Sequence, residues 1–191
     1  MYAYCGFTKQ MPKGCALNSI TRQPAYQLLR ACLPDDHAER CTAERYASLL
    51  STKGGQSCVL DLGCGVGDTI DLFRAATPDL VWHGVDTESS PESALRTRQD
   101  GVFATFDGIH LPYDDAMFDM VYCCQVLEHV RDPDALMAEV ARVLKPGGYL
   151  AGSVSYLEPY HSFSIFNFTP YGLHRVLDRA DLTVQRAASW D

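Results

Sequence analysis

An α/β chain with a mostly parallel sheet and helices on both faces is predicted by three observations. Val59-Leu60-Asp61-Leu62 is a short apolar run that passes into the glycine-rich turn Gly63-Cys64-Gly65-Val66-Gly67-Asp68 and then into a helical stretch, Thr69 to Ala76. Strand-like and helix-like segments then alternate as far as Ser155, which is the pattern of βαβ units. One of these segments, Phe118 to Cys124, is apolar almost throughout. A central strand covered on both faces reads that way.

The glycine turn is the stretch around which the rest is organised. Val59, Leu60 and Leu62 suit a buried strand. Glycines at 63, 65 and 67 permit a tight turn and a close backbone approach to a ligand. The helix that follows offers free N–H groups at its start, a layout that elsewhere receives a phosphate. Here Asp68 stands at that start and brings its own negative charge. A pyrophosphate is less welcome than a ligand with a positive centre or an amino group. The next strand, Leu80 to Val85, ends at Asp86, 21 residues after Gly65. A carboxylate at that spacing accepts hydrogen bonds from ribose hydroxyls, so Asp86, with Thr87 beside it, is the ribose candidate.

The remaining elements follow in order. Pro24 to Ala31 and Ala38 to Leu50 read as helices, the second with Tyr46, Leu49 and Leu50 at helical spacing. Lys53-Gly54-Gly55 breaks the chain before the first strand. Polar Ser89 to Gln99 predicts a short helix opening at Pro91. Val102 to Phe106 is a third strand, ending at Asp107-Gly108, and His110 to Asp115 a loop with an apolar plug. Gln125 to Val130 follows the fourth strand. Asp132-Pro133 starts a helix whose stripe Leu136, Val140, Val143, Leu144 faces the core. Lys145-Pro146-Gly147-Gly148 turns into a fifth strand, Tyr149 to Ser155. Tyr156 to Tyr171 carries six aromatics, read either as a lid over an apolar substrate or as ordinary packing. Thr169-Pro170 caps a last helix with the stripe Leu173, Val176, Leu177.

VLDLGCGVGD resembles motif I of the class I S-adenosylmethionine (SAM) dependent methyltransferases, and Asp107-Gly108, the LPY loop and LKPGG match later segments of that family in the right order. The resemblance, of the type 11-like kind, covers roughly residues 57 to 185 and is densest from 59 to 150. It implies a three-layer Rossmann-like fold and SAM as cofactor. On that resemblance Asp61 anchors the amino group of SAM directly or through water. Gly63, Cys64 and Gly65 make room for its methionyl part. Asp107 and Gly108 face the adenine, with Ile109 on the ring, and Gln125 and Val126 lie near the reactive methyl. His129 is the first candidate for a general base and Glu128 the second, with His161 and Tyr160 as outside candidates. The same EHV sequence also suits a helix cap or a hold on the methionine end.

The phrase FTPYGLHRVL resembles a subgroup found in glycan biosynthesis, so the acceptor is expected to be a small molecule or a glycan- or lipid-linked compound. Two features depart from the family. Asp181 stands where a glycine is usual. Leu182 to Arg186 supplies a sixth strand, but little remains for a seventh. Either the sequence is truncated, or the chain is a C-terminally shortened form of the family whose open sheet edge invites pairing with a second copy as a homodimer.

The expected organisation is an N-terminal arm with helices, 1–55, and a SAM-binding domain, 56–191. A formal net charge of −8 argues against nucleic acid. No apolar run approaches the length of a membrane span, and residues 1–10 lack a signal-peptide core, so a cytoplasmic location is expected. The eight cysteines are read as free thiols, with no metal site. Two rivals stand beside methyl transfer. A non-catalytic SAM-binding regulator or scaffold fits the missing strand. A nicotinamide-dependent oxidoreductase expects GxGxxG, with its third glycine one place beyond Gly67.

Overall fold

The computed structural model describes residues 46, 47, 50, 56–155 and 163–183. Five parallel strands form one sheet in the order β3-β2-β1-β4-β5. They are β1 (Cys58–Leu62), β2 (Val81–Thr87), β3 (Val102–Phe106), β4 (Phe118–Cys124) and β5 (Leu144–Ser153). Helix α1 (Thr69–Ala76) links β1 to β2, and α2 (Pro91–Ala94) lies between β2 and β3. A 3₁₀ turn (Leu127–His129) and α3 (Pro133–Val143) join β4 to β5, and α4 (Pro170–Arg179) comes last.

The period-2 alternation of β1 divides the core into two layers. Leu60 and Leu62 join Leu136, Met137, Val140, Leu173 and Leu177, so α3 and α4 cover one face. Val59 joins Ile70, Phe73, Trp82, Met120 and Tyr122, so α1 covers the other. Tyr46 and Ala47 are helical and belong to this second face, where the Tyr46 ring meets Tyr122 edge-on at 6.2 Å. The remainder of the two predicted N-terminal helices, and residues 156–162 of the aromatic stretch, including Tyr160 and His161, lie outside the described residues.

The strand order reverses between β1 and β4, which in an open parallel sheet is the place where a ligand crevice is expected, at the carboxyl ends of the strands. Three expectations about elements need correction. Helix α2 is four residues long and does not continue to Gln99. Ser90 caps it, and beyond Leu95 two arginines turn back to the glycine turn. The fifth strand begins at Leu144, because this residue is already extended (φ −72°, ψ 135°) and pairs with Phe118. The extra length of Lys145 to Gly148 is taken up as a register shift between Phe118 and Met120. Leu182 and Thr183 are not in a strand, and residues 184–186 lie outside the described residues.

Asp181 does adopt the left-handed conformation, with φ 56°. Its N–H donates to Asp178 O at 3.1 Å and Leu182 N–H to Leu177 O at 3.0 Å, the paired bonds of a Schellman cap. The cap therefore forms despite the side chain. Asp181→Gly is expected to stabilise the chain by roughly 0.5–1 kcal/mol in urea unfolding, because glycine enters this conformation without steric cost.

Candidate active site

The crevice is built by four strand ends. After β1 the chain turns at Gly63 (φ 75°), whose N–H donates to Val85 O at 2.8 Å. A Cβ at Gly63 would stand 2.4 Å from Val126 Cγ2, beyond the end of β4. Glycine is thus required by both the backbone angle and the approach of the two loops. Gly65 N–H donates to Asp86 Oδ2 at 2.8 Å, and Thr87 N–H donates to Asp86 Oδ1 at 2.8 Å. Asp86 is 8% exposed, so the β2 carboxylate is aimed by backbone donors at the end of the sheet.

Asp61 sits one pleat below the turn and is 3% exposed. Its Oδ2 accepts from the Thr69 hydroxyl. Burial pushes its carboxyl up to about 7; the Thr69 hydroxyl opposes that rise and the negative Asp86 adds to it. Cys64 is buried, and desolvation with the neighbouring Asp61 carries its thiol up to about 12, so it is a packing group and not a nucleophile. Two buried carboxylates facing one crevice favour a ligand that carries positive charge.

An ionised buried Asp61 destabilises the ligand-free chain. Its folded pKa lies above the unfolded value near 3.9, so stability falls as pH rises from about 4 to about 7 and is lowest above that. Asp61→Asn is expected to stabilise the ligand-free chain at pH 8 by roughly 1–3 kcal/mol and to flatten this part of the pH profile. Thermal unfolding between pH 5 and 8 measures both.

At the end of β3, Asp107 Oδ1 accepts from the N–H groups of Ile109 and His110, and Oδ2 meets His110 Nδ1 at 2.7 Å. Those bonds hold its carboxyl well below the usual range. Asp107 therefore shapes its own exposed turn, with Gly108 (φ 94°) open on its Cβ side. Beyond β4, Gln125 takes a left-handed φ of 54°, an angle that non-glycine residues reserve for constrained sites. It is held by Ser153 on β5, through Gln125 N–H to Ser153 O at 2.8 Å and Gln125 Nε2 to Ser153 Oγ at 3.0 Å.

The two candidate bases separate in this structure. His129 is half-buried at the end of the 3₁₀ turn, where its N–H closes onto Val126 O. Glu128 has no solvent exposure. Its Oε1 accepts from Ser155 N–H at 3.0 Å, and its carbonyl accepts from Ile165 and Phe166 N–H. Glu128 thus binds the β4 loop to the segment after β5, and a nucleophile arriving from solvent does not reach it.

Sequence reasoning missed four residues here. Arg96 Nε and Nη2 donate to Gly65 O at 2.8 and 2.6 Å, and its guanidinium lies 4.2 Å above the Phe103 ring. Arg98 holds Asp71 in a two-bond pair and reaches Gly67 O. The Thr69 hydroxyl donates to Asp61, and the Trp82 indole N–H donates to Thr69. The arginines had a faint signal, two cations two apart in a segment otherwise lacking a helical stripe. The Thr69–Trp82 contact had none.

The family described as "Methyltransferase domain" matches residues 60–152. Methyltransferase GfsG of Streptomyces halstedii is 37% identical over 119 residues, 59% of this chain and 42% of its own length. The 27-O-demethylrifamycin SV methyltransferase of Amycolatopsis mediterranei is 34% identical over 115 residues, 56% of this chain and 42% of its own. The chain thus spans less than half the length of either relative. A Haloferax volcanii chain solved in complex with the Trm112 methyltransferase activator is similar at TM-score 0.58 and 25% identity, over 72% of this chain and 67% of that one. A SAM-dependent methyltransferase from Aquifex aeolicus shares the fold at TM-score 0.55 and 19% identity, covering 72% and 79%.

Proposed function

From its place in the class I SAM-dependent methyltransferase family, to which this chain belongs through residues 60–152, we propose that it transfers a methyl group from SAM to an acceptor with apolar surface. The observation that carries the reading is the convergence of Asp61 and Asp86 on the Gly63–Gly65 turn. SAM fits this donor set. Its ammonium and sulfonium are the positive charge that two buried carboxylates call for, and glycine at 63 and 65 lets the turn take positive φ angles and pack close against Val126 and Glu92 at the carboxyl end of β1. When bound, SAM supplies an electrophilic methyl on a good leaving group.

The chain's own residues then bind and align. Asp86, fixed by Gly65 and Thr87 N–H, offers its remaining lone pairs to the ribose hydroxyls. Asp61 takes the ammonium. Asp107 Oδ2, whose hydrogen bond among the described residues is to His110 Nδ1, accepts from the adenine amino group. Gln125 and Val126 bound the methionyl end, Gln125 being fixed by Ser153. Alignment of nucleophile with methyl and sulfur is the principal contribution asked of the protein. An acceptor hydroxyl or amine must also lose a proton, and His129 is the residue proposed to take it.

The acceptor class rests on the segment after β5. Phe163, Ile165 and Tyr171 are exposed there, Phe163 by 83%, and Ile165 and Phe166 are tied to Glu128 O beside His129. An apolar face next to the crevice supports a small molecule, or a glycan- or lipid-linked compound, over a polyanion, as does the net charge of −8. The test is incubation with methyl-labelled SAM and a panel of apolar alcohols, phenols, amines and carboxylic acids. Label recovered in an acceptor, and lost with His129→Ala when that acceptor is an alcohol or amine, supports the reading. SAM binding with no turnover on any of the panel favours the regulator or scaffold.

A further inference from the structure

Below the glycine turn a hydrogen-bonded chain runs from Trp82 through the half-buried Thr69 to Asp61, and neither Thr69 nor Trp82 has a part in the cofactor contacts. Trp82 Nε1 donates to Thr69 Oγ1 at 3.1 Å, and the Thr69 hydroxyl donates to Asp61 Oδ2. Trp82 and Asp61 are both buried. The direction of this chain is fixed by chemistry. An indole N–H only donates, so it occupies an acceptor side of the threonine oxygen. A hydroxyl has one proton, and the carboxylate is placed to receive it. Without Trp82, Thr69 at the first turn of α1 has other partners available, as threonine hydroxyls at helix starts commonly do.

We propose that Thr69, oriented by Trp82, is a positioning residue that favours the ionised form of Asp61 and so strengthens capture of a cationic cofactor near neutral pH. This rests on the SAM reading above. The surroundings of Asp61 make such a donor consequential. From β2 it faces the carboxylate of Asp86, which opposes its ionisation. From the glycine turn it faces Cys64, and from β4 Tyr122, Cys123 and Cys124. Burial pushes every one of those thiol and phenol groups up, Cys64 to about 12 and Cys124 to about 11, so they are neutral at pH 7. Thr69 is therefore the side chain hydrogen-bonded to Asp61 that favours the charged carboxylate against both burial and Asp86.

The ordering of variants distinguishes this role from mere packing. Thr69→Val keeps the shape and removes the proton. Thr69→Ser keeps the proton. Trp82→Phe keeps the ring packing and removes the N–H. SAM is titrated calorimetrically into each between pH 6 and 9, in two buffers of different ionisation enthalpy, so that proton release is counted with affinity. The wild type is expected to tighten as pH rises through about 7 and then level off, releasing protons below that point. Thr69→Val is expected to move the midpoint up by about one pH unit, weaken binding about fivefold at pH 7 and rejoin the wild type near pH 9. Trp82→Phe moves it the same way by less, and Thr69→Ser restores it.

A uniform loss at every pH in Thr69→Val, or an unmoved midpoint, overturns the relay. A folded wild type that binds no SAM at any pH instead removes the functional reading. The relay is then decided on the ligand-free chain by melting temperature against pH. There the wild type loses stability up to about pH 7, and Thr69→Val continues to lose it at higher pH. Coincident profiles in that experiment overturn the relay on its own.

Discussion

Gly152→Ala is expected to abolish the fold. Gly152 on β5 is paired with Cys123 on β4, and a Cβ there would stand 1.6 Å from the Cys123 carbonyl oxygen and 2.4 Å from its carbonyl carbon. The obstruction is backbone in a central strand, so no rotamer relieves it. β4 carries Val121, Tyr122 and Cys123 in the core of both faces, and it cannot recede without opening each. The expected cost exceeds about 4 kcal/mol, which is a large part of the stability of a domain this size. Circular dichroism and urea unfolding of the variant measure it. Gly147→Ala is the control. That glycine also has a positive φ, 75°, but nothing lies within 4 Å of its Cβ position. Its expected cost is the conformational one alone, about 1 kcal/mol.

Asp86→Ala is expected to weaken SAM binding by about 100-fold or more. The carboxylate holds Gly65 N–H and Thr87 N–H at 2.8 Å each, so its loss frees the glycine turn from β2 and leaves both donors without that acceptor. The proposed ribose contacts go with it. Two hydrogen bonds to a charged acceptor, each contributing roughly 1.5 kcal/mol, account for about two orders of magnitude. Asp86→Asn retains one acceptor oxygen and is expected to fall between the two. Titration of the three proteins at pH 8, with circular dichroism to confirm that each is folded, separates lost contacts from lost structure.

The fold was legible because the strands announce themselves. β3, β4 and α1 run from Val102 to Phe106, Phe118 to Cys124 and Thr69 to Ala76, the bounds expected from apolar runs closed by turn residues. Buried parallel strands leave little ambiguity, since both faces demand apolar side chains. The start of β5 was not legible, because LKPGG carries turn signals and the pairing of Leu144 with Phe118 is decided by packing between distant strands. Nor was the shortness of α2. Its polar sequence permits a helix, and what ends it is the attraction of Arg96 and Arg98 to Gly65 and Gly67 carbonyls 31 residues away. The carboxylates at 61, 86 and 107 could be picked out by spacing and resemblance. Their different surroundings could not: Asp61 is buried on Thr69, Asp86 is aimed by two N–H groups, and Asp107 is turned onto its own loop. Glu128 shows the same limit. Adjacent to His129 in sequence, it is wholly buried on Ser155, a bond that exists because β5 lies beside β4 and delivers Ser155 to the Glu128 side chain.

The central question for this chain is whether the strand ends around Asp61 and Asp86 take SAM. Calorimetric titration of SAM into the purified 191-residue chain at pH 8, beside Asp86→Ala, measures it. The expected result is binding of one SAM per chain at micromolar affinity, lost or weakened about 100-fold in the variant. A folded chain that binds no SAM, or binds it equally well without the Asp86 carboxylate, would contradict the account.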